Sequence, residues 1–517
     1  ADTALAACND AADAVVNGAT DLLDLARVLV RPIPNAAADA RGQIQVSAAA
    51  RGRVRIFRKA ADAPEAPGSF TALDESGVLT AAELRAGVEL AIEGRDVVRD
   101  AAVWNGLVDL TFTVTAGGTE VGTDTVQLRL APLVTPSHLD APEAVYATRV
   151  PWDREGSAAF LGDLQRAVRA AGVASFVELA GDDQWTQDVF EPAYMSMPGP
   201  GGVPRGMHVM LRSANFARRS AVGGASLREA GRVVFTQLRG RDVGGVVAFD
   251  PGHSDRMDTL NSFGNYETIP PYSFGGASYP LGRAFRGRTS AYFPDPVFTK
   301  MMESQGVQPP VYVDTSWLLV GHVDEVVAFI PANNERGWTI AAADPRGARA
   351  ALEQLQREGS GNLPLFVGKA FLDERGREIA AQATVAEVLA DEDVLTASNT
   401  AAVRIDRTLA TLQAETGVRD DEIVKIPFLF TRSFGSAVAY QPGMVNGISL
   451  GKVFGMPRPH GPQRSARDLF ESLVGQSFAQ RGIDVQWIEN WDVYHRMDGE
   501  VHCGSNTRRA IPRRGFW

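Results

Sequence analysis

Val108-Asp109-Leu110-Thr111-Phe112-Thr113-Val114 alternates apolar and polar residues, Ala116-Gly117-Gly118-Thr119 supplies a turn, and Thr125-Val126-Gln127-Leu128-Arg129-Leu130 alternates again. Period-two patterning on both sides of a glycine pair marks an antiparallel hairpin with one buried face. Upstream, Arg53-Val54-Arg55-Ile56-Phe57 has the same texture, so Gln43 to Leu130 reads as an antiparallel β-sandwich of roughly 90 residues. Before it, residues 4–30 have the alanine and leucine content of a helix, closed by Pro32 and Pro34. That predicts a helical lead-in over residues 1–40 and a sandwich over residues 41–133.

After Ala131-Pro132 the pattern becomes mixed. Helical stretches at Ala158 to Ala171, Gly347 to Glu358 and Ser465 to Gly475 separate short β runs such as Val326 to Ile330 and Ile423 to Phe430. The alternation predicts a second, larger α/β or α+β domain over residues 134–517, and a multidomain α+β chain as a whole. A length of 517 residues with 45% hydrophobic content agrees, since it exceeds what one core usually holds.

Composition also excludes partners. The net charge of -11 disfavours nucleic acid, which wants a surplus of Lys and Arg on one face. No window reaches the roughly 18 consecutive apolar residues of a membrane helix; Val15 to Val30 is interrupted by Asn17, Asp21, Asp24 and Arg27. The start Ala-Asp-Thr-Ala is compatible with a cleaved signal peptide, which sets an expectation of secretion. Cys8 and Cys503 stand at opposite ends, so no disulfide framework or cysteine-based zinc site is expected and Cys503 is free for chemistry.

Three stretches carry chemistry-bearing side chains. Gly321-His322-Val323-Asp324-Glu325 precedes a β-branched and aromatic run; in a strand, His322 and Asp324 would share a face, one able to move protons and the other to hold a cation. The same pair also fits the polar end of an ordinary strand. Asp182-Asp183-Gln184-Trp185-Thr186-Gln187-Asp188-Val189-Phe190-Glu191 sets acids around a tryptophan, which suits a planar guanidinium as well as a solvated turn. In Glu500-Val501-His502-Cys503-Gly504 the thiol is either a nucleophile or an inert buried residue, and Gly504 hints at a close backbone approach.

In this order the three stretches, together with Ser262-Phe263-Gly264-Asn265, Tyr279-Pro280-Leu281-Gly282-Arg283 and Met444-Val445-Asn446, resemble the protein-arginine deiminases of the guanidino-group-modifying superfamily. The likeness covers nearly all of residues 135–512, and Val126 to Leu133 is similar to the family's junction with a middle sandwich. It implies an immunoglobulin-like sandwich followed by a five-bladed α/β propeller. It implies hydrolysis of protein arginine side chains to citrulline and ammonia, with Cys503 as nucleophile, His322 as general acid and base, and Asp188 and Asp324 gripping the guanidinium. Trp185 and Arg496 are implied as substrate contacts, Arg496 lying next to Met497 where the family has an arginine. The other substrate arginine has no clean counterpart, though Arg218 is nearby. Arginine-containing peptides or proteins are the implied partners, with no expectation for oligomeric state.

The resemblance further implies a Ca²⁺ site built from Gln187, Glu191, Glu267 and the carbonyls of Phe263 and Tyr266, a hard-oxygen shell. At a second family site, Val189 stands where vertebrate members carry an acid, and Arg212-Ser213-Ala214-Asn215 replaces a segment that brings an aspartate. Valine cannot ligate a metal, so only the first site is expected. No counterpart of the vertebrate enzymes' first sandwich is expected in these residues. His502 is expected to be structural, because neighbouring strand residues point apart. Two other readings are a deiminase or amidino-transferring enzyme acting on free arginine or a small guanidine, and a sandwich binding protein with a dead catalytic domain. The second is disfavoured because all four catalytic positions hold competent residues.

Overall fold

The computed structural model describes residues 2–74, 76–199, 202–216, 226–252, 259–290, 294–373 and 375–512. Arg218 lies outside them. The alternating runs pair as their spacing requires: Leu107–Ala116 and Thr119–Arg129 form an antiparallel hairpin, with Gly117 and Gly118 at φ 58° and 75°, where a side chain would be strained. Arg41–Val46 pairs with the other edge of Leu107–Ala116 and then with Val78–Leu79. The second sheet runs in the order Ala26–Val30, Val88–Gly94, Val54–Ala60, Thr71–Ala72. Ile44, Leu110 and Val114 from one sheet and Val30, Leu90 and Ile92 from the other fill one core, each fully buried aliphatic side chain contributing about 2 kcal/mol.

The expected helical lead-in over residues 1–40 is corrected here. Only Asp2–Ala7 and Asp21–Asp24 are α-helical, and Ala26–Val30 is an edge strand of the sandwich paired with Val88–Gly94. Alanine-rich composition favours a helix locally, but a β partner some sixty residues away overrides that preference. The first helix packs on the larger domain instead: Leu5 and Ala6 contact its apolar cluster, Asp2 meets Arg212, and Arg239 donates to the Leu5 carbonyl at 2.8 Å.

Among the described residues, the larger domain contains five three-stranded sheets with one connectivity. In each, a first strand runs antiparallel to a central strand, and the central strand runs parallel to a third. The sets are Phe190–Met197, Arg205–Arg212 and Val243–Val247; Tyr266–Ile269, Arg283–Arg288 and Val311–Asp314; Val327–Pro331, Trp338–Ala343 and Val424–Ile426; Ile448–Leu450, Val453–Pro457 and Asp484–Ile488; and Ser505–Arg509, Pro142–Thr148 and Ser175–Leu179. The last set joins the two ends of the domain, its first strand coming from the C-terminal stretch. Helical segments fill the crossovers between central and third strands, as parallel pairing requires. Five of these helices, Arg154–Ala170, Pro296–Ser304, Pro345–Arg357, Glu392–Thr416 and Leu469–Ala479, begin on an aspartate whose carboxylate accepts backbone N–H groups: Asp153, Asp295, Asp344, Asp391 and Asp468. The chain is therefore an α+β multidomain protein.

Gln305, 3% exposed, fastens the two domains. Its amide donates to the Val98 carbonyl at 2.7 Å and accepts from the Leu133 N–H at 3.0 Å. None of the helices among the described residues is long and apolar enough to cross a membrane.

Candidate functional site

The five sheets place chemistry at equivalent positions. Asp188 sits in the turn Thr186–Val189 that leads into Phe190–Met197, and Glu267 is the second residue of Tyr266–Ile269. His322 and Asp324 precede Val327–Pro331, Asn446 precedes Ile448–Leu450, and His502 and Cys503 precede Ser505–Arg509. Segments far apart in sequence thus arrive at the head of the first strand of each sheet, and there they meet.

Cys503, 4% exposed, has its Sγ 3.5 Å from Asn446 Oδ1 and 3.9 Å from Asp324 Oδ2. Its carbonyl accepts the Gln187 N–H at 3.1 Å, which ties the Asp188 turn to the thiol. Burial first, then the charges of Asp324 and Asp188, push the Cys503 thiol well above its ordinary range. Gly504 makes the expected close approach: a Cβ there would fall 2.3 Å from the Tyr494 ring.

His322 and Asp324 do not lie in a strand as expected. Val323–Glu325 is a 3-10 turn, because the Glu325 carboxylate accepts the His322 N–H at 2.8 Å and bends the chain before the strand starts at Val327. The two side chains still face a common neighbour: a Cβ on Gly264 would lie 2.5 Å from His322 Nδ1 and 2.9 Å from Asp324 Oδ2. His322 Nε2 is 2.7 Å from the Thr259 carbonyl. A carbonyl only accepts, so in the neutral ring the proton is on Nε2 and the buried, unpartnered Nδ1 is left to exchange protons. Asp324 Oδ1 is likewise buried and without a hydrogen-bond partner.

Asp188, 7% exposed, already holds a guanidinium. Arg228 Nη1 lies 2.9 Å from its Oδ2, while the same arginine grips Asp183 with two bonds of 2.7 and 2.8 Å. Trp185 packs edge-on to Tyr494, ring centroids 5.6 Å apart, and closes over Gly499, where a Cβ would fall 2.1 Å from the indole. Arg496 is committed elsewhere, to Glu378 at 2.8 Å and the Asp492 carbonyl at 2.7 Å.

The expected metal-binding residues also gather. The Gln187 amide nitrogen is 2.9 Å from Glu191 Oε2 and 3.4 Å from the Phe263 carbonyl, so three of the five groups face one point. Glu267, the next residue after Tyr266, is 3% exposed, and its Oε1 has no hydrogen-bond partner. Burial, reinforced by Glu267, pushes the Glu191 carboxyl up to about 8, and burial pushes Glu267 to about 8. Both shifts mean that burial disfavours the charged form of these carboxyls where no cation stands beside them.

Besides Arg228, Asn446 and His502 were missed or misread from sequence. Asn446 was noted only as part of Met444-Val445-Asn446, yet its side chain faces the thiol and its carbonyl accepts the His502 N–H at 3.1 Å. His502 joins the cluster, with Nδ1 2.8 Å from Asp324 Oδ2. It occupies a turn, with Gly504 N–H bonded to the Glu500 carbonyl at 3.2 Å, so the rule that neighbours in a strand point apart does not apply.

A family model for protein-arginine deiminase (PAD) matches residues 120–517. Human protein-arginine deiminase type-1 is 30% identical over 419 residues, spanning 78% of this chain and 59% of that protein. Mouse protein-arginine deiminase type-4 is 29% identical over 488 residues, spanning 90% of this chain and 68% of that protein. The chain thus spans little more than half to two thirds of these relatives' lengths. Among solved structures, C. jejuni agmatine deiminase aligns with 74% of this chain and 98% of its own, at 11% identity and a TM-score of 0.40. On the family match over more than half of its residues, this chain belongs to the protein-arginine deiminase family.

Proposed function

We propose that the protein hydrolyses arginine side chains of peptides and proteins to citrulline and ammonia, and that Cys503, His322, Asp188 and Asp324 perform the reaction. The observation that carries this reading is the approach of Cys503 Sγ to Asp324 within a buried cluster that also holds His322. A guanidinium carbon is a poor electrophile because resonance spreads its charge, so it must be held rigidly against a soft nucleophile. Two carboxylates provide the hold. A carboxylate offers about four lone-pair sites, so Asp188 can keep Arg228 and still accept from a substrate. The negative surroundings that keep the thiol protonated are neutralised when a cationic side chain enters between them, which favours the thiolate when it is needed.

The thiolate then bonds to the guanidinium carbon, and the protonated His322 gives its Nδ1 proton to the departing nitrogen, which leaves as ammonia. A thiouronium remains on Cys503. Neutral His322 takes a proton from water through Nδ1 as the hydroxide adds to the same carbon; the C–S bond then breaks while the added hydroxyl gives its proton to solvent, releasing citrulline and thiolate with His322 again protonated. Gly264 supports this arrangement as the bare backbone against which His322 and Asp324 rest. Gly264→Ala is expected to lower kcat/KM for benzoyl-arginine amide about 100-fold, the cost of misplacing reacting groups by an ångström or so. A variant within twofold of the parent enzyme would remove Gly264 from the argument.

The residues expected to hold Ca²⁺ fit it: Gln187, Glu191, Glu267 and the Phe263 and Tyr266 carbonyls are oxygen donors, and rotation of the Gln187 amide would turn its oxygen to the point now faced by its nitrogen. Bound there, Ca²⁺ would neutralise Glu191 and Glu267 and fix the Gln187 turn, which carries Asp188. At the second family position the fit fails. Val189 lies in an apolar cluster and the fully buried guanidinium of Arg212 belongs to the residue paired with Phe190. The repeated sheets support a five-bladed α/β propeller, and the two four-stranded sheets an immunoglobulin-like sandwich.

The test is citrulline release from benzoyl-arginine amide, a histone and free arginine, each with and without Ca²⁺. Citrulline is expected from the first two, with activity rising on Ca²⁺ addition. Product from free arginine alone would overturn the peptidyl reading in favour of a small-guanidine deiminase.

A further inference from the structure

His138 is absent from every role given so far, yet it lies against the same cluster. Its Nε2 is 2.7 Å from Glu267 Oε2. On the other side of that carboxylate, His502 Nε2 is 3.7 Å from Glu267 Oε1, and the imidazole rings are 5.1 Å apart at a 51° tilt. One nitrogen from each histidine and one oxygen of Glu267 all lie within 4.8 Å of one another. That spread is wider than the separation of about 3.3 Å between donors of a tetrahedral centre with bonds of about 2.0–2.1 Å, a gap that side-chain rotation of the two imidazoles can close.

We infer that His138, His502 and Glu267 form a binding site for a borderline divalent transition ion, Zn²⁺ being the best match, distinct from the oxygen-lined calcium position. Two imidazoles and one carboxylate are a donor set that such ions prefer and that Ca²⁺ does not. Two further observations point to a ligand. Glu267 Oε1, nearly fully buried, has no hydrogen-bond partner. The remaining ring nitrogen of His502 is held by Asp324 at 2.8 Å, the carboxylate–histidine arrangement that fixes a metal-binding imidazole and raises its basicity. A small cavity lined by both histidines, with Glu191 and Arg509, leaves space for a fourth ligand from solvent. Arg509, the cation on this side, is tied to the carbonyls of Asp140 and Ser449 at 2.9 and 3.0 Å. The carboxylates of Glu191, Glu267 and Asp324 outweigh it.

The placement has a consequence that rests on the proposed function. Zn²⁺ here would take Glu267 from the calcium set and fix His502 and Asp324 beside Cys503, so Zn²⁺ and Ca²⁺ would exclude each other and Zn²⁺ would inhibit.

Binding is tested without activity. Zn²⁺ titrated calorimetrically into the chelator-treated full chain should bind at one ion per chain. His138→Ala, whose side chain faces partly outward, should weaken binding at least about 100-fold with an unchanged unfolding temperature, whereas His460→Ala, remote from the cluster, should leave it as it is. Absence of saturable binding, or equal affinity in His138→Ala, overturns the site. A second readout needs no variant: Co²⁺ bound to the parent chain should give the strong visible bands of a four-coordinate centre, and octahedral bands would overturn the geometry. If Zn²⁺ binds through His138 but excess Ca²⁺ leaves its affinity unchanged, the zinc site stands and the sharing of Glu267 with calcium fails.

Discussion

Cys503→Ala should abolish citrulline formation from benzoyl-arginine amide, with kcat/KM down by about 10⁴-fold or more. The size follows from the lack of any substitute: the other cysteine, Cys8, is exposed, and Asn446, whose Oδ1 lies 3.5 Å from the sulfur, is not a nucleophile. Asp188, Asp324 and His322 remain in the variant, so a guanidinium should still bind. Removing the thiol also removes a group that burial keeps protonated, hence the fold should not suffer. The measurement is citrulline release alongside equilibrium binding of the same substrate. Turnover surviving in a variant that binds substrate would show that the nucleophile lies elsewhere.

What could be read from the sequence depended on the range of the forces involved. The sandwich hairpin was legible because its period-two alternation and glycine turn are local properties of Leu107–Ala116 and Thr119–Arg129. The strand Ala26–Val30 was not, because its conformation is set by Val88–Gly94. The five equivalent sheets left no repeat to find: strands as short as Ile448–Leu450 and Val424–Ile426 carry too few residues for a pattern, and the crossovers range from one short helix to the three helices Pro345–Arg357, Val385–Ala390 and Glu392–Thr416. The chemistry-bearing residues were named from motifs, while their meeting place follows from the shared position at the heads of first strands. Arg228 was invisible because its role is purely tertiary, a cation brought to Asp183 and Asp188 from 45 and 40 residues away. The direction of His502 relative to Cys503 was misread through one local assumption, that these neighbours lie in a strand, whereas the strand begins at Ser505.

Asp2→Ala should destabilise the protein by about 3–5 kcal/mol, although Asp2 lies far in sequence from every motif. Arg212 is 0% exposed, and its Nε lies 2.7 Å from Asp2 Oδ1. The other guanidinium nitrogens donate to the carbonyls of Ser213 and Arg228 at 3.0 and 2.7 Å. Those carbonyls satisfy hydrogen bonds and cannot neutralise a charge. Burial already pushes the guanidinium below its ordinary range against the pull of Asp2, so deleting the aspartate strands a buried cation, the costly way to break such a pair. Replacing both partners, with Asp2→Ala and Arg212→Met together, removes the stranded charge and should recover most of the loss. Urea unfolding of the single and double variants measures this. A single variant within about 0.5 kcal/mol of the parent, or a double variant worse than the single, would show that the N-terminal helix is only resting on the domain. Because Arg212 also holds the carbonyl of Arg228, whose side chain grips Asp188, the helix Asp2–Ala7 braces the carboxylate proposed to receive substrate as well as the sheet it packs on.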